Sequence, residues 1–200
     1  MLNFNQIIHR MKLKHFFLLF MVFVALSCSN KQVNPVLRNT VDNYYEAFNT
    51  GNFNEMRQLV TDSIKLLEGS LLIAQGEKAL YNFFQWDSVF DPSYTIIAYE
   101  ELDSNHALAT VEKSCKRIRF LIDKPFVTKV KIEFNKAKID AVSTVDYIDV
   151  DFDAWEAKRN ALTGYIDNKY PELSGFVFDQ SKAGAENYLK AIEIYEATGK

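Results

Sequence analysis

The chain has 200 residues, 48% of them apolar and 14% aromatic, with only seven glycines and four prolines. This composition can bury a core, and it excludes disordered, collagen-like and low-complexity classes. Its 23 Lys+Arg against 26 Asp+Glu give a net charge of -3, which falls to -6 without the acid-free first 27 residues and their three bases; a nucleic-acid binder carries a basic balance or stripe, and neither is present.

The N-terminus comes first in chain order. Lys12, Lys14 and His15 precede eleven apolar residues, Phe16 to Leu26. A bilayer span needs about 20, so this run reads as the apolar region of a signal peptide and not as a transmembrane anchor. Ala25-Leu26-Ser27-Cys28 resembles a bacterial lipobox, and the Ser-Cys-Ser-Asn run is similar to lipoproteins of Bacteroidota. The resemblance implies that residues 1–27 are cleaved, that Cys28 carries a lipid, and that 28–34 form a tether. Each buried CH₂ of such a lipid contributes ~0.8 kcal/mol to membrane attachment. Ser29, in place of an inner-membrane retention Asp, implies a bacterial envelope protein anchored at the outer membrane. Ala25-Leu26-Ser27 also suits ordinary signal peptidase, and either Met1 or Met11 serves as the start.

With Cys28 lipidated, Cys115 has no disulfide partner, and it reads as a small buried strand residue. His106 is the only histidine beyond the signal segment, and Asp103-Ser104-Asn105-His106 reads as a solvated turn. No metal site follows from this inventory, and no cofactor is implied.

Leu37, Val41, Tyr44, Tyr45 and Phe48 fall on one face of a helix that Pro35 opens and Thr50-Gly51-Asn52 ends. A short helix capped by Asn54 runs to about Val60. A hairpin comes next, 64–68 and 71–74 around Gly69-Ser70. Gly76 opens a third helix with Leu80, Phe83, Phe84 and Trp86 facing inward. Strands are expected at 94–102, 107–122, 126–134 and 138–148, alternating apolar and charged residues as a one-sided antiparallel sheet does. Helices followed by such a sheet define an α+β fold.

Tyr44 to Phe53, Leu59-Val60-Thr61-Asp62 and Gly76 to Phe84, in this order, resemble the nuclear transport factor two-like superfamily, which includes SnoaL-like and ketosteroid-isomerase-like proteins. The resemblance covers residues 35–150. It implies a cone: a curled antiparallel sheet and N-terminal helices around an apolar pocket, here lined by Tyr45, Phe48, Leu80, Phe84, Val130 and Ile132. On the isomerase branch, Tyr44 matches the oxyanion-donating tyrosine and Glu68 the general base. Val130 stands where that branch places a protonated acid, so a steroid isomerase is not implied; losing one such donor costs ~3 kcal/mol of transition-state stabilisation. Tyr44 and Tyr45 also read as core packing, and Glu68 as an exposed hairpin end. Glu112, Arg117 and Arg119, placed on the long strand, fall at the cone mouth or in solvent.

Beyond the cone, residues 151–200 form two further helices. Asp153 and Glu156 give the first a capping box, Tyr170-Pro171 ends it, and Ser181 opens the second. Their apolar faces need a cover, either as a lid on the cone mouth or on the outer face of the sheet, and the flat outer face suits two amphipathic helices better. The functional expectation is a membrane-anchored pocket for a small apolar or amphipathic ligand without turnover. The alternatives are an isomerase- or hydratase-type enzyme using Glu68 and Tyr44, and a module that docks an envelope protein through the C-terminal helices. A homodimer is compatible with each.

Overall fold

In a computed structural model, which describes residues 33–199, the described residues form six α-helices and six strands. The signal segment and Cys28 lie outside the described residues. Among the described residues no helix is long and apolar enough to cross a membrane.

Helix α1 is Pro35–Thr50; the Asn34 side chain accepts from Val36 N, and Gly51 closes the helix at φ 68°. That left-handed value is one that glycine adopts without steric cost. Helix α2 is Phe53–Leu59, capped by Asn52 and not by Asn54. Strands β1 (Val60–Glu68) and β2 (Leu71–Gln75) form the hairpin, and α3 is Gly76–Ser88. Strand β3 is Ser93–Glu101 and β4 is His106–Ser114. Helix α4, Lys116–Ile122, replaces the second half of the expected long strand. Strands β5 (Phe126–Asn135) and β6 (Lys138–Ile148) complete the sheet. Helix α5 (Phe152–Lys169) and helix α6 (Lys182–Glu196) come last, joined by two short 3-10 turns.

The strand-to-helix switch has a local cause. Cys115 Sγ accepts from Ile118 N at 3.4 Å, and Lys116 N donates to Phe90 O at 2.9 Å. Cys115 is thus a helix cap, and Lys116 turns out of the ladder toward the end of α3. Lys116–Ile122 is seven residues whose apolar positions satisfy both periods, so its spacing cannot separate strand from helix. A second difference lies at α5, which is capped by Asp151 accepting from Ala154 N at 2.9 Å, and not by a box starting at Asp153.

The strand order is β2-β1-β6-β5-β4-β3. All pairings are antiparallel except β1 with β6, which is parallel. Register shifts leave Ile97 without a partner on β3, and Asp140 and Val145 without one on β6. Such bulges bend a strand and raise its local twist, which curls this sheet without closing it. Ile97 and Val145 are consequently exposed, at 55% and 52%. Asp140 is held instead by the hydroxyls of Thr61 and Ser63, at 2.6 and 3.1 Å.

The concave face carries one core, with Val41, Met56, Leu80, Ile132 and Ile139 packed between α1–α3 and the sheet. A second core joins Phe90, Cys115 and Ile118 to Leu162, Ile166, Tyr188 and Ile192. Helices α5 and α6 therefore pack on α3 and α4 at the open end of the cone, and not on the outer face of the sheet. They go there because the outer face presents ion-paired residues such as Lys129–Asp146 and Lys131–Glu133, whereas the end of α3 presents Phe90. Gly184 lets α6 start close against the link: a Cβ there would collide with the Asp179 carbonyl.

Asn34 to Lys200 is one compact unit, so the extension is integral to it. Leu162 is fully buried in the second core. Its truncation, Leu162→Ala, is expected to lower the unfolding free energy by about 3 kcal/mol in a single cooperative urea transition. A loss near zero would show that the extension is only loosely attached.

Candidate functional site

The inward face of β5 is solid at one end and hollow at the other. Ile132 and Phe134 are packed into the first core, while Phe126, Thr128 and Val130 of the same alternating face line a cavity of about 790 Å³. Paired residues continue the wall on β6: Thr144 opposite Val130, and Tyr147 opposite Thr128. Tyr44, Tyr45 and Phe48 of α1 and Phe83 and Trp86 of α3 form the opposite wall. Trp155, Arg159 and Thr163 of α5, with Val177 and Phe178 of the link, form the rim. Phe178 is 87% exposed.

A buried carboxylate anchors the polar end of this wall. Asp87 is 1% exposed and accepts from Tyr94 Oη at 2.7 Å and from Lys113 Nζ at 2.5 Å. Lys113 Nζ also lies 4.8 Å from the centre of the Tyr94 ring. Tyr94 and Lys113 line the cavity, and Asp87 stands behind them. Burial pushes the Tyr94 hydroxyl well above the ordinary tyrosine range, and the Asp87 charge and hydrogen bond push it further. Burial does the same for Tyr44, aided by the Tyr45 and Asp87 charges, and burial alone raises Tyr45. These phenols remain protonated donors at neutral pH.

At the other end, the guanidinium carbon of Arg117 lies 5.0 Å from the Trp86 ring centre and 5.6 Å from that of Phe90. Arg159 stacks on Trp155 at 5.0 Å and pairs with Glu156 at 3.0 Å. Glu68 accepts from Tyr147 Oη at 2.8 Å, and its side chain is exposed.

No family model matches this sequence, and no curated protein matches it significantly. Solved structures that it resembles include an NTF2-like protein of unknown function from Cytophaga hutchinsonii, at 13% identity and TM-score 0.45, covering 60% of this chain and 94% of that one. Another is a protein of unknown function with a cystatin-like fold from Methylobium petroleophilum, at 12% identity and TM-score 0.49, covering 59% and 79%. A de novo designed protein with a curved β-sheet resembles it at 16% identity and TM-score 0.46, covering 65% and 99%. Likeness at this level concerns the outline of the fold and not a ligand or an activity.

Of the residues singled out from sequence, Tyr44, Tyr45, Phe48, Glu68 and Val130 line the cavity. Leu80, Phe84 and Ile132 do not; they are buried in the core behind it, because the cavity occupies only the mouth half of the concave face. Tyr44 and Glu68 differ sharply in environment. Tyr44 is buried at 2% exposure, in edge-on contact with Tyr45 and Phe48. Glu68 is exposed and hydrogen-bonded to Tyr147. Glu112 does not line the cavity, whereas Arg117 does, from α4 and not from a strand. Arg119 donates instead to Ser114 Oγ at 3.0 Å.

Sequence reasoning passed over Asp87, Tyr94, Lys113, Trp155 and Arg159. The signal for Asp87 was present: Leu80, Phe84 and Asp87 share one helical stripe, and a carboxylate on an apolar stripe needs a partner. Lys113 likewise continues the inward register of Ala107, Ala109 and Val111. No local pattern announces that these two residues meet.

Removing one partner of a buried pair strands the other charge. Asp87→Ala is expected to cost about 3–5 kcal/mol, and the double change Asp87→Ala with Lys113→Met distinctly less, by urea unfolding. The tyrosines give a second test. Their folded pKa values lie above the unfolded value of about 10, so their stabilising contribution is complete below pH ~10 and is lost as pH rises toward the folded values. Absorbance at alkaline pH is expected to show Tyr44, Tyr45 and Tyr94 ionising together with unfolding, not before it.

Proposed function

We propose that this chain is a lipid-anchored protein of a bacterial envelope whose cavity holds one small apolar or amphipathic molecule without turning it over. The cavity carries this reading: about 790 Å³, walled by Phe83, Trp86, Val111, Phe126, Val130 and Val142, falls within the range of small-molecule sites. Anchoring rests on the Ala25-Leu26-Ser27-Cys28 sequence. Binding is favoured over catalysis by the state of two carboxylates at the strand wall of the site. Asp87 is occupied by Lys113 and Tyr94, and Glu68 is exposed and bound to Tyr147. Helices α5 and α6 spend their apolar faces in the second core and leave the cavity itself unfilled.

Both tryptophans of the chain, Trp86 and Trp155, line the cavity and report on its contents. The full chain, purified without detergent in an amphipathic polymer, is expected to bind octanol with a saturable change in tryptophan emission. Thr144→Phe places a ring in the cavity wall and is expected to weaken that binding at least about fivefold, the equivalent of about 1 kcal/mol. A wild-type chain whose emission does not respond to octanol overturns the reading.

A further inference from the structure

The hollow and the solid parts of the concave face lie at opposite ends of the strands, and the chain enters the domain at the solid end. Strands β3 and β4 pair from Ser93 with Ser114 at one end to Glu101 with Ala107 at the other. Beside the first pair stand Tyr94 and Lys113 of the cavity wall. Beside the last pair α1 begins: Asn34 N donates to Glu101 Oε1 at 2.7 Å, and Asn34 caps the helix. Strands β5 and β6 run the same way, with Phe126 and Tyr147 at the cavity and the turn at Ala137 at the far end. Phe134 N donates to Asn105 O at 2.8 Å and Thr40 Oγ1 to Ala137 O at 3.2 Å, which ties both turns and α1 together there. Val33 and Val36 are exposed, so the chain reaches this end from the surface.

Two lengths now decide what the cavity can face. From Ser93 to Glu101 are eight residue steps, about 26 Å of strand at ~3.3 Å each. Helices α5 and α6 add their thickness beyond the open end. From Cys28 to Asn34 are six steps, which span at most ~21 Å when fully extended. The tether is therefore shorter than the domain is deep. Run back along the strands, it leaves Cys28 short of the mouth. A domain lying on its side opens along the membrane surface and not into it.

Resting on the anchor and the cavity proposed above, we infer that the mouth of the cavity opens into water and not into the bilayer that holds Cys28, so that the ligand is a dissolved amphiphile and not a lipid of that bilayer. A two-chain lipid enters a protein cavity from a mouth pressed on the membrane, because a passage through water exposes every CH₂ of both chains. A molecule with one short chain dissolves as a monomer and needs no such contact. The cavity volume of about 790 Å³ agrees, since it falls in the range of small-molecule sites.

Bromine quenches tryptophan on contact, and both tryptophans of the chain, Trp86 and Trp155, line the cavity. The test uses the lipid-bearing chain inserted in phosphatidylcholine vesicles. It is expected to float with the vesicles and to carry acyl groups on Cys28 by mass spectrometry. Its tryptophan emission is expected to be the same whether or not the vesicle lipids are brominated midway along an acyl chain. Bromo-octanol added from the water is expected to quench that emission saturably. Quenching by the brominated lipid, through a dipping mouth or an extracted lipid, overturns the inference and leaves anchor and cavity standing. A floated chain that bromo-octanol does not quench also overturns it, and the vesicle-free chain in amphipathic polymer then shows whether the cavity reading falls too. A chain that neither floats nor carries acyl groups on Cys28 overturns the anchor and the inference together.

Discussion

One buried carboxylate ties the helical layer to the sheet. Asp87 sits on the inner stripe of α3 and takes a hydroxyl from β3 and an ammonium from β4. A charge in that position is costly unless fully partnered, so the two bonds fix where α3 lies along the strands. The placement of α3 then directs the chain beyond it. Phe90, one turn further along, accepts from Lys116 N and turns the chain out of the ladder into α4. Trp86 and Phe90 extend past the first core and become the surface on which α4 and α6 build the second. The joint lies between the two cores, and the cavity opens beside it.

The cavity results from a mismatch between sheet curvature and side-chain supply. The bulges at Ile97, Asp140 and Val145 curl the sheet more than α1 and α3 can fill. At the narrow end Ile132, Phe134 and Ile139 meet Val41 and Met56 and leave no space. Toward the mouth the facing positions are Thr128, Val130 and Thr144, which are too short to close the gap. The C-terminal extension covers the opening without filling it. Its own apolar residues are consumed by the second core, and it turns Trp155, Arg159 and Thr163 toward the cavity. Arg117 belongs to both regions, stacking on aromatic residues of the second core while facing the cavity.

Much of the fold was legible because local rules agree with the tertiary outcome. The periodicity of Leu37, Val41, Tyr44, Tyr45 and Phe48 gave α1, with Pro35 and Gly51 as its bounds. The alternation in 126–134 and 138–148 gave β5 and β6. It failed at 116–122, where seven residues satisfy both periods and the deciding bond comes from Phe90, far away in sequence. The parallel pairing of β1 with β6 was equally out of reach, since alternation does not encode strand direction. Tyr44, Tyr45, Phe48 and Val130 were legible as wall residues because they face inward. Leu80, Phe84 and Ile132 face inward too, and inward is all that a pattern can state.

The sequence by itself determined the α+β class, most element boundaries and the apolar character of the concave face. Each comes from residue spacing or residue counts, which are local quantities. Only the tertiary structure decided which part of that face is hollow, that the C-terminal helices cover its mouth, and that Asp87 meets Lys113 while Arg117 stacks on Trp86 and Phe90. These depend on sheet curvature and on contacts between residues distant in sequence. A charged side chain looks the same in a sequence whether or not its partner arrives.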